Sequence, residues 1–364
     1  MPGNIGQKLL NALGGHLHHD PPPQYPPPHQ LPGGMVNNDE RPLSSPPNRG
    51  TYPRLARLSD GSILSSFTRF PDGKRALCVA LSVDNGQTFE NFSEVTRAAG
   101  DVDNLFLVEA APGVVLAAFR NHDLGPHGPT HFRITVCRSL DGGRTWRFAS
   151  QAAEKGAPLG IWEPFMRLGR QGEVQLTYSQ EFAPNNQCTM LVISHDQGSS
   201  WSPPVCLHGQ NDLLRDGMNG IATTFENGRE ALVMVFETTR HGKFSVEALI
   251  SYDDGASWHG RHEVFRPKPG HNAGSPQIAS FADSSMVVVF MTDEDSPQVD
   301  WVKHASIKAV FAGPPQNGQI RWSAPIVISP ASSFWPGVMA IDHHTALVTY
   351  DRGGPLAKTV TWRP

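Results

Sequence analysis

Polar and apolar positions alternate in short runs along most of this chain, and no long stretch carries the three- and four-residue apolar spacing of a helix. One unit recurs: an apolar strand, a turn, then a more strongly apolar strand. Its copies are YPRLARLSDGSILSSFTR from Tyr52, NLFLVEAAPGVVLAAFRNHD from Asn104, EPFMRLGRQGEVQLTYSQE from Glu163, GIATTFENGREALVMVFETTR from Gly220, PQIASFADSSMVVVFMTDED from Pro276 and WPGVMAIDHHTALVTYDRG from Trp335. Each copy predicts two antiparallel strands joined by a tight turn, so six copies predict six sheets.

A second repeat follows the first four copies, with the form Ser-x-Asp-x-Gly-x-x-aromatic. It runs from Ser82 to Phe89, Ser139 to Trp146, Ser194 to Trp201 and Ser251 to Trp258, the starts being 57, 55 and 57 residues apart. A degenerate fifth copy lies between Ser306 and Trp322. Glycine takes the positive φ that a tight hairpin needs, the Asp side chain bonds amides across it, and the aromatic packs between neighbouring sheets. These turns resemble the Asp-boxes, or BNR repeats, of sialidase-like propellers, and the resemblance spans residues 50 to 364.

The two repeats together predict an all-β fold, a six-bladed β-propeller of the sialidase type occupying residues 47–364. The last copy leaves room for only three strands before Pro364, so a segment near residues 36–50 is expected to supply the fourth and close the ring. Residues 1–46 are rich in Pro, His and Gly and read as a disordered tail, with a short amphipathic helix at residues 5–13. His16, His18 and His19 lie in that tail without a rigid scaffold and read as solvated side chains, so no metal or other cofactor is expected.

Charge changes the picture only by exclusion. The formal net charge is −4 and no long basic run interrupts the chain, which argues against nucleic acid or anionic membrane as a partner. No stretch is apolar enough to span a membrane, and the N-terminal apolar residues are broken by Gln7, Lys8 and Asn11, unlike a secretory signal. A cytoplasmic location is the expectation. The four cysteines, Cys78, Cys137, Cys188 and Cys206, show no close-spaced pair and read as free thiols in a reducing compartment. Asn91-Phe92-Ser93 is a lone sequon, read as a chance match.

In an up-and-down blade the start of the first strand and the end of the second share one face, and the Asp turns lie on the other. The shared face is polar here. Its first-strand starts include Arg54, Asp103, Asn104, Glu163, Asn219 and Ser275; its second-strand ends include Arg120, Asn121, His122, Asp123, Glu181, Glu237 and Asp351. Carboxylates ringing a propeller mouth beside tryptophans point to a small-molecule or glycan ligand, with a solvated loop face as the plain alternative. Glu163 sits between apolar residues in Gly160-Ile161-Trp162-Glu163-Pro164-Phe165, where burial would raise its pKa and suit a general acid. Glu237 ends the apolar run Ala231–Phe236, and facing carboxyls on adjacent blades could act as acid/base and nucleophile.

At these positions the chain is similar to glycoside hydrolase family 93, the exo-arabinanases. The matching segments are Tyr52-Pro53-Arg54, Phe119 to Asp123, Trp162-Glu163-Pro164-Phe165, Arg215-Asp216-Gly217-Met218 and Phe236-Glu237. The resemblance implies a retaining, metal-free hydrolase acting on the end of linear α-1,5-arabinan, with Glu163 as acid/base and Glu237 as nucleophile. Its matching segments imply a substrate site containing Arg54, Asn121, His122, Asp123, Trp162, Arg215 and Asp216, to which the positions at the propeller mouth add Glu181, Asn219 and Trp335. The clan places a Tyr beside the nucleophile at the start of the sixth blade, whereas Ser332-Ser333-Phe334-Trp335-Pro336 has none. A propeller recruited to a non-hydrolytic step such as a cyclisation, an inactive binding propeller, and a sialidase proper stay open as alternatives; a sialidase needs three arginines on one carboxylate, which Arg54, Arg120, Arg215, Arg240 and Arg352 could supply.

Overall fold

The computed structural model describes residues 33–362. It is a β-propeller of six antiparallel sheets. The first blade contains Thr51–Arg57, Ile63–Arg69, Arg75–Ser82 and Glu90–Ala98, and the second Asp101–Ala111, Val114–Gly125, Gly128–Ser139 and Arg147–Gly156. The third has Ile161–Leu168, Val174–Ala183, Asn186–Ser194 and Val205–Cys206; the fourth has Gly217–Glu226, Arg229–His241, Lys243–Ser251 and His259–Phe265. Ala273–Ser280, Met286–Thr292, Ser306–Ala312 and Ile326–Ser329 make the fifth.

The sixth blade closes the ring as expected. Phe334–Ala340, Thr345–Asp351 and Pro355–Thr361 are its own strands, and Met35–Val36 and Arg41–Pro42 pair with the last of them. This corrects part of the expected tail. Residues 33–46 are held by ladder bonds and by burial of Leu43, which packs with Ile63 and Phe67 of the first blade. The expected helix at 5–13 and the three tail histidines lie outside the described residues.

Each interface between blades has its own apolar cluster. Val79 and Leu105 meet between blades one and two, Val136 and Leu176 between two and three, and Phe165 and Leu232 between three and four. Val233 and Val288 join four to five, Met291 and Val348 join five to six, and Leu347 and Ile63 join six to one. The burial is therefore spread around the ring, as expected when every sheet has to cover both faces.

The Asp turns staple these interfaces from the outside. In the second blade Asp141 accepts from the amides of Arg144 and Thr145 at 3.1 and 2.9 Å and from the Thr145 hydroxyl, while Ser139 Oγ accepts from the Gly143 amide at 2.8 Å. The Thr145 and Ser139 hydroxyls and these amides hold the Asp141 carboxyl down at about 2. The Trp146 indole then donates to Ser93 Oγ on the outer strand of blade one at 3.0 Å, and Ser93 donates to the Gly143 carbonyl. Trp201 and Ser150 repeat the clasp between blades three and two. All four turns lie between third and fourth strands, at the end of the blade away from the first-strand starts.

Candidate functional site

Six bulges build the mouth of the channel. In every blade the first strand slips register against the second, between Thr51 and Arg54, Asp103 and Phe106, Trp162 and Phe165, Gly217 and Gly220, Gly274 and Gln277, and Phe334 and Gly337. At each slip one non-glycine residue takes left-handed backbone: Tyr52, Asn104, Glu163, Met218, Ser275 and Trp335, with φ between 42° and 56°. A bulge re-aims a side chain, and such strain is retained where the surrounding structure over-determines it. Proline follows in four of the six, at Pro53, Pro164, Pro276 and Pro336, where a missing N–H costs no ladder bond.

The bulges surround a narrow cleft walled among others by Tyr52, Arg54, Asn104, Glu163, Asn219 and Gln277. Burial, opposed by the charges of Arg120 and Arg215, pushes the Glu163 carboxyl up to about 7. Arg120 is buried, which works against its charge, but Asp103 and Asp101 more than offset this at 3.3 and 3.1 Å. Arg75 completes that cluster, 2.5 Å from Asp103 and 2.9 Å from Asp101. The guanidinium of Arg120 is thus fixed beside Tyr52 and Glu163.

Glu237 lies behind the wall, only 6% exposed. It stands opposite Gly217 on the ladder, and its Oε2 accepts from the Ser275 amide of the next blade at 2.8 Å. Burial pushes it up to about 8; the Ser275 amide opposes this and the charge of Glu163 adds to it. Gly274 is required for the close approach, since a Cβ there would lie 2.4 Å from Oε2. The rung is reused around the ring. Ser179 Oγ accepts from the Met218 amide at 3.0 Å, and Met291 Sδ lies 3.5 Å from the Trp335 amide. Glu237 therefore caps a bulge amide within range of the Glu163 charge.

The other expected site residues divide into two groups. Arg54, Asn219 and Trp335 belong to the mouth: Arg54 donates to the carbonyl of Trp335 at 3.1 Å, and Asn219 donates to Thr177 Oγ1 at 2.8 Å while its own carbonyl is buried without a partner. Arg215 and Glu181 stand next to it, paired at 2.8 Å, and both act on Glu163. Trp162 packs edge-on to His122, with Arg120 over its ring. The remaining four leave the cleft. Asn121 donates to Thr135 at 3.1 Å, and His122 is buried against Asp101 and the Ile161 carbonyl. Asp123 is exposed and paired with Arg133 at 2.6 Å, and Asp216 is buried on Arg261 at 2.7 Å.

Ser179 and Gln277 were not singled out in the sequence, Asn104 and Ser275 were named only as first-strand starts, and Tyr52 only within the matching segment Tyr52-Pro53-Arg54. Tyr52 is the most consequential. Its ring stacks on Trp335, and burial raises its hydroxyl pKa well above the ordinary phenol value. A residue followed by proline at a first-strand start is the signal that marks four of the six bulges. Among the described residues no group of three His, Cys, Asp or Glu side chains could hold a metal, and no helix is long and apolar enough to cross a membrane.

No protein-family model matches the sequence, and no curated protein matches it. Solved structures do. An α-L-arabinanase of Penicillium chrysogenum, complexed with arabinobiose, superposes with a TM-score of 0.64 at 18% identity, covering 92% of this chain and 98% of its own. A protein of unknown function from Dyadobacter fermentans gives 0.66 at 16% identity, covering 92% and 100%. A sialidase of Streptococcus pneumoniae gives 0.58 at 12% identity, covering 91% and 70%. Arabinanases and sialidases share this architecture, and the chain has the fold common to both: a six-bladed propeller of the sialidase type.

Proposed function

We propose that this propeller is a glycoside hydrolase that releases the terminal unit of a glycan by a retaining, metal-independent, two-carboxyl mechanism. The observation that carries the reading is the pair Glu163 and Glu237 on adjacent blades, Glu163 lining the cleft and Glu237 buried behind its wall, where the charge of Glu163 opposes its ionisation. A retaining mechanism needs two carboxyls about 5 to 5.5 Å apart, one able to hold a proton near neutrality. In this reading Glu163 protonates the departing glycosidic oxygen while Glu237, raised by burial, first sheds its proton and then attacks the anomeric carbon as the carboxylate. Glu163 then takes a proton from the water that cleaves the glycosyl ester. Arg54, Asn219, Tyr52 and Trp335 would hold the sugar. The fold shared with an arabinanase bound to arabinobiose makes the end of linear arabinan the first substrate to test.

One observation favours a second reading. The Ser275 amide on Glu237 gives that carboxyl the same backbone-capping place as Ser179 and Met291, which need no chemistry. A non-hydrolytic or ligand-binding propeller would keep Glu237 for this purpose alone. The test is turnover of linear arabinan, aryl arabinosides and aryl sialosides by purified protein. Release of a short arabinose unit with retained anomeric configuration supports the hydrolase. Folded protein that turns over none of the three overturns it in favour of the second reading.

A further inference from the structure

Cys188 and Cys206 sit on neighbouring strands of the third blade. Met190 is opposite Cys206 on the ladder, and Cys188 lies two residues along from Met190, so all three side chains share one face. Cys188 Sγ donates to Asn186 Oδ1 at 3.4 Å, and Cys206 Sγ donates to the His208 carbonyl at 3.3 Å. Both cysteines are free, Cys188 fully buried and Cys206 partly exposed.

The segment after Cys206 folds back over this pair. The Leu207 amide donates to the Thr189 carbonyl at 3.0 Å, and a Cβ on Gly209 would lie 3.8 Å from Cys188 Sγ. Asn186 donates to the carbonyls of Gln210 and Asp212 at 2.8 and 2.7 Å. The Asp216 amide donates to the Gln187 carbonyl at 2.8 Å. Arg215, which acts on both Glu163 and Glu237, therefore stands at the end of a loop anchored beside the two sulfurs.

We propose that Cys188 and Cys206 are a reversible dithiol that hydrogen peroxide closes to a disulfide, clamping the loop 207–216 that carries Arg215. Cys206 is the attacking sulfur, since it is the exposed one of the two. It attacks one peroxide oxygen, breaking the O–O bond and leaving a sulfenic acid and, after protonation of the departing hydroxide, water. Cys188 then attacks the Cys206 sulfur, forming the S–S bond, giving up its proton and expelling a second water. Two thiols lose two electrons and two protons, and one peroxide becomes two waters. The neighbouring Cys188 lowers the Cys206 thiol, whereas burial pushes Cys78 and Cys137 up to about 11 and leaves them inert.

The experiment treats the native full-length chain with limiting hydrogen peroxide, then denatures, alkylates and maps it by mass spectrometry. The expected product loses two hydrogens, keeps Cys78 and Cys137 alkylatable, and yields one crosslinked peptide containing Cys188 and Cys206, which dithiothreitol reopens. Amide exchange across residues 207–216 slows in the oxidised protein relative to the reduced. The Cys188→Ser variant stops at a Cys206 sulfenic acid that dimedone traps. Four alkylatable cysteines after treatment, a crosslink through Cys78 or Cys137, or Cys206 oxidised while wild-type Cys188 stays free would each overturn the dithiol. A correct crosslink with unchanged exchange in the loop would overturn the clamp.

Discussion

Trp335 stacks on Tyr52 with ring centroids 4.4 Å apart and planes 23° from parallel, across the seam where the sixth blade meets the first. The sixth-blade position where a tyrosine would be expected holds this tryptophan, and the first blade brings a tyrosine to its face. The cleft thus has a buried hydroxyl near Glu163, contributed from the other side of the closure. Tyr52→Phe keeps the stack and removes only that hydroxyl. In the hydrolase reading kcat should fall about tenfold with KM little changed, the loss expected for one hydrogen bond made in the transition state. Trp335→Ala removes the stack itself and should raise KM while lowering Tm.

Ser139 and Asp141 set a stability prediction with no catalytic component. Ser139 Oγ is buried and holds the Gly143 amide, so Ser139→Ala should destabilise the protein by about 1 kcal/mol, measured by denaturant unfolding. Asp141→Ala should lower Tm and leave turnover per folded molecule unchanged. The Asp141 carboxyl is depressed to about 2 in the folded chain. Its contribution is therefore complete above the unfolded pKa near 4 and disappears as pH falls toward 2. A reduced kcat in either variant would contradict the placement of these turns away from the cleft.

The fold was legible because its signals are local. Ser139 to Trp146 contains every group needed to make its own turn, and the six strand-turn-strand copies count the blades. Glu163 was legible for the same reason, as a carboxyl flanked by Trp162 and Pro164 at a strand start. Asn121, His122 and Asp123 were misplaced because the second strand of blade two, Val114–Gly125, runs on past the rung of Arg120 into a longer hairpin. That extension carries them away from the mouth. Asp216 was misplaced by adjacency to Arg215: neighbouring residues point to opposite sides, and Asp216 turns to Arg261. Tyr52 was visible in the segment Tyr52-Pro53-Arg54, but its stack on Trp335 was not, because that contact depends on ring closure, which joins residues almost a whole chain apart.

The two carboxyls separate by leaving group. If Glu163 is the acid, Glu163→Ala should lose most activity on arabinan but be partly spared on an aryl arabinoside, whose phenolate departs with little protonation. Glu237→Ala should lose nearly all turnover on both, because no nucleophile remains. Azide should restore part of the Glu163→Ala rate on the activated substrate, since it needs no base to attack the glycosyl ester. Equal loss on both substrates in Glu163→Ala would move the acid role elsewhere.

Glu237 also predicts an unusual dependence of stability on pH. Burial, opposed by the Ser275 amide and reinforced by Glu163, lifts its folded-state pKa to about 8, against an unfolded value near 4.3. Below pH 4 both states carry the proton and the group is neutral with respect to folding. Between about pH 4.3 and 8 the unfolded chain has released the proton and the folded chain still holds it, so stability falls as pH rises. Glu163, lifted to about 7, adds to the same slope. Glu237→Gln keeps the acceptor for the Ser275 amide but cannot ionise. It should be relatively more stable than wild type at pH 8 than at pH 5, with the difference opening steadily between them in thermal melts. A difference that stays constant over that range would mean that Glu237 is ionised in the folded protein at pH 5, and that the Ser275 amide and its surroundings stabilise the charge more than burial opposes it.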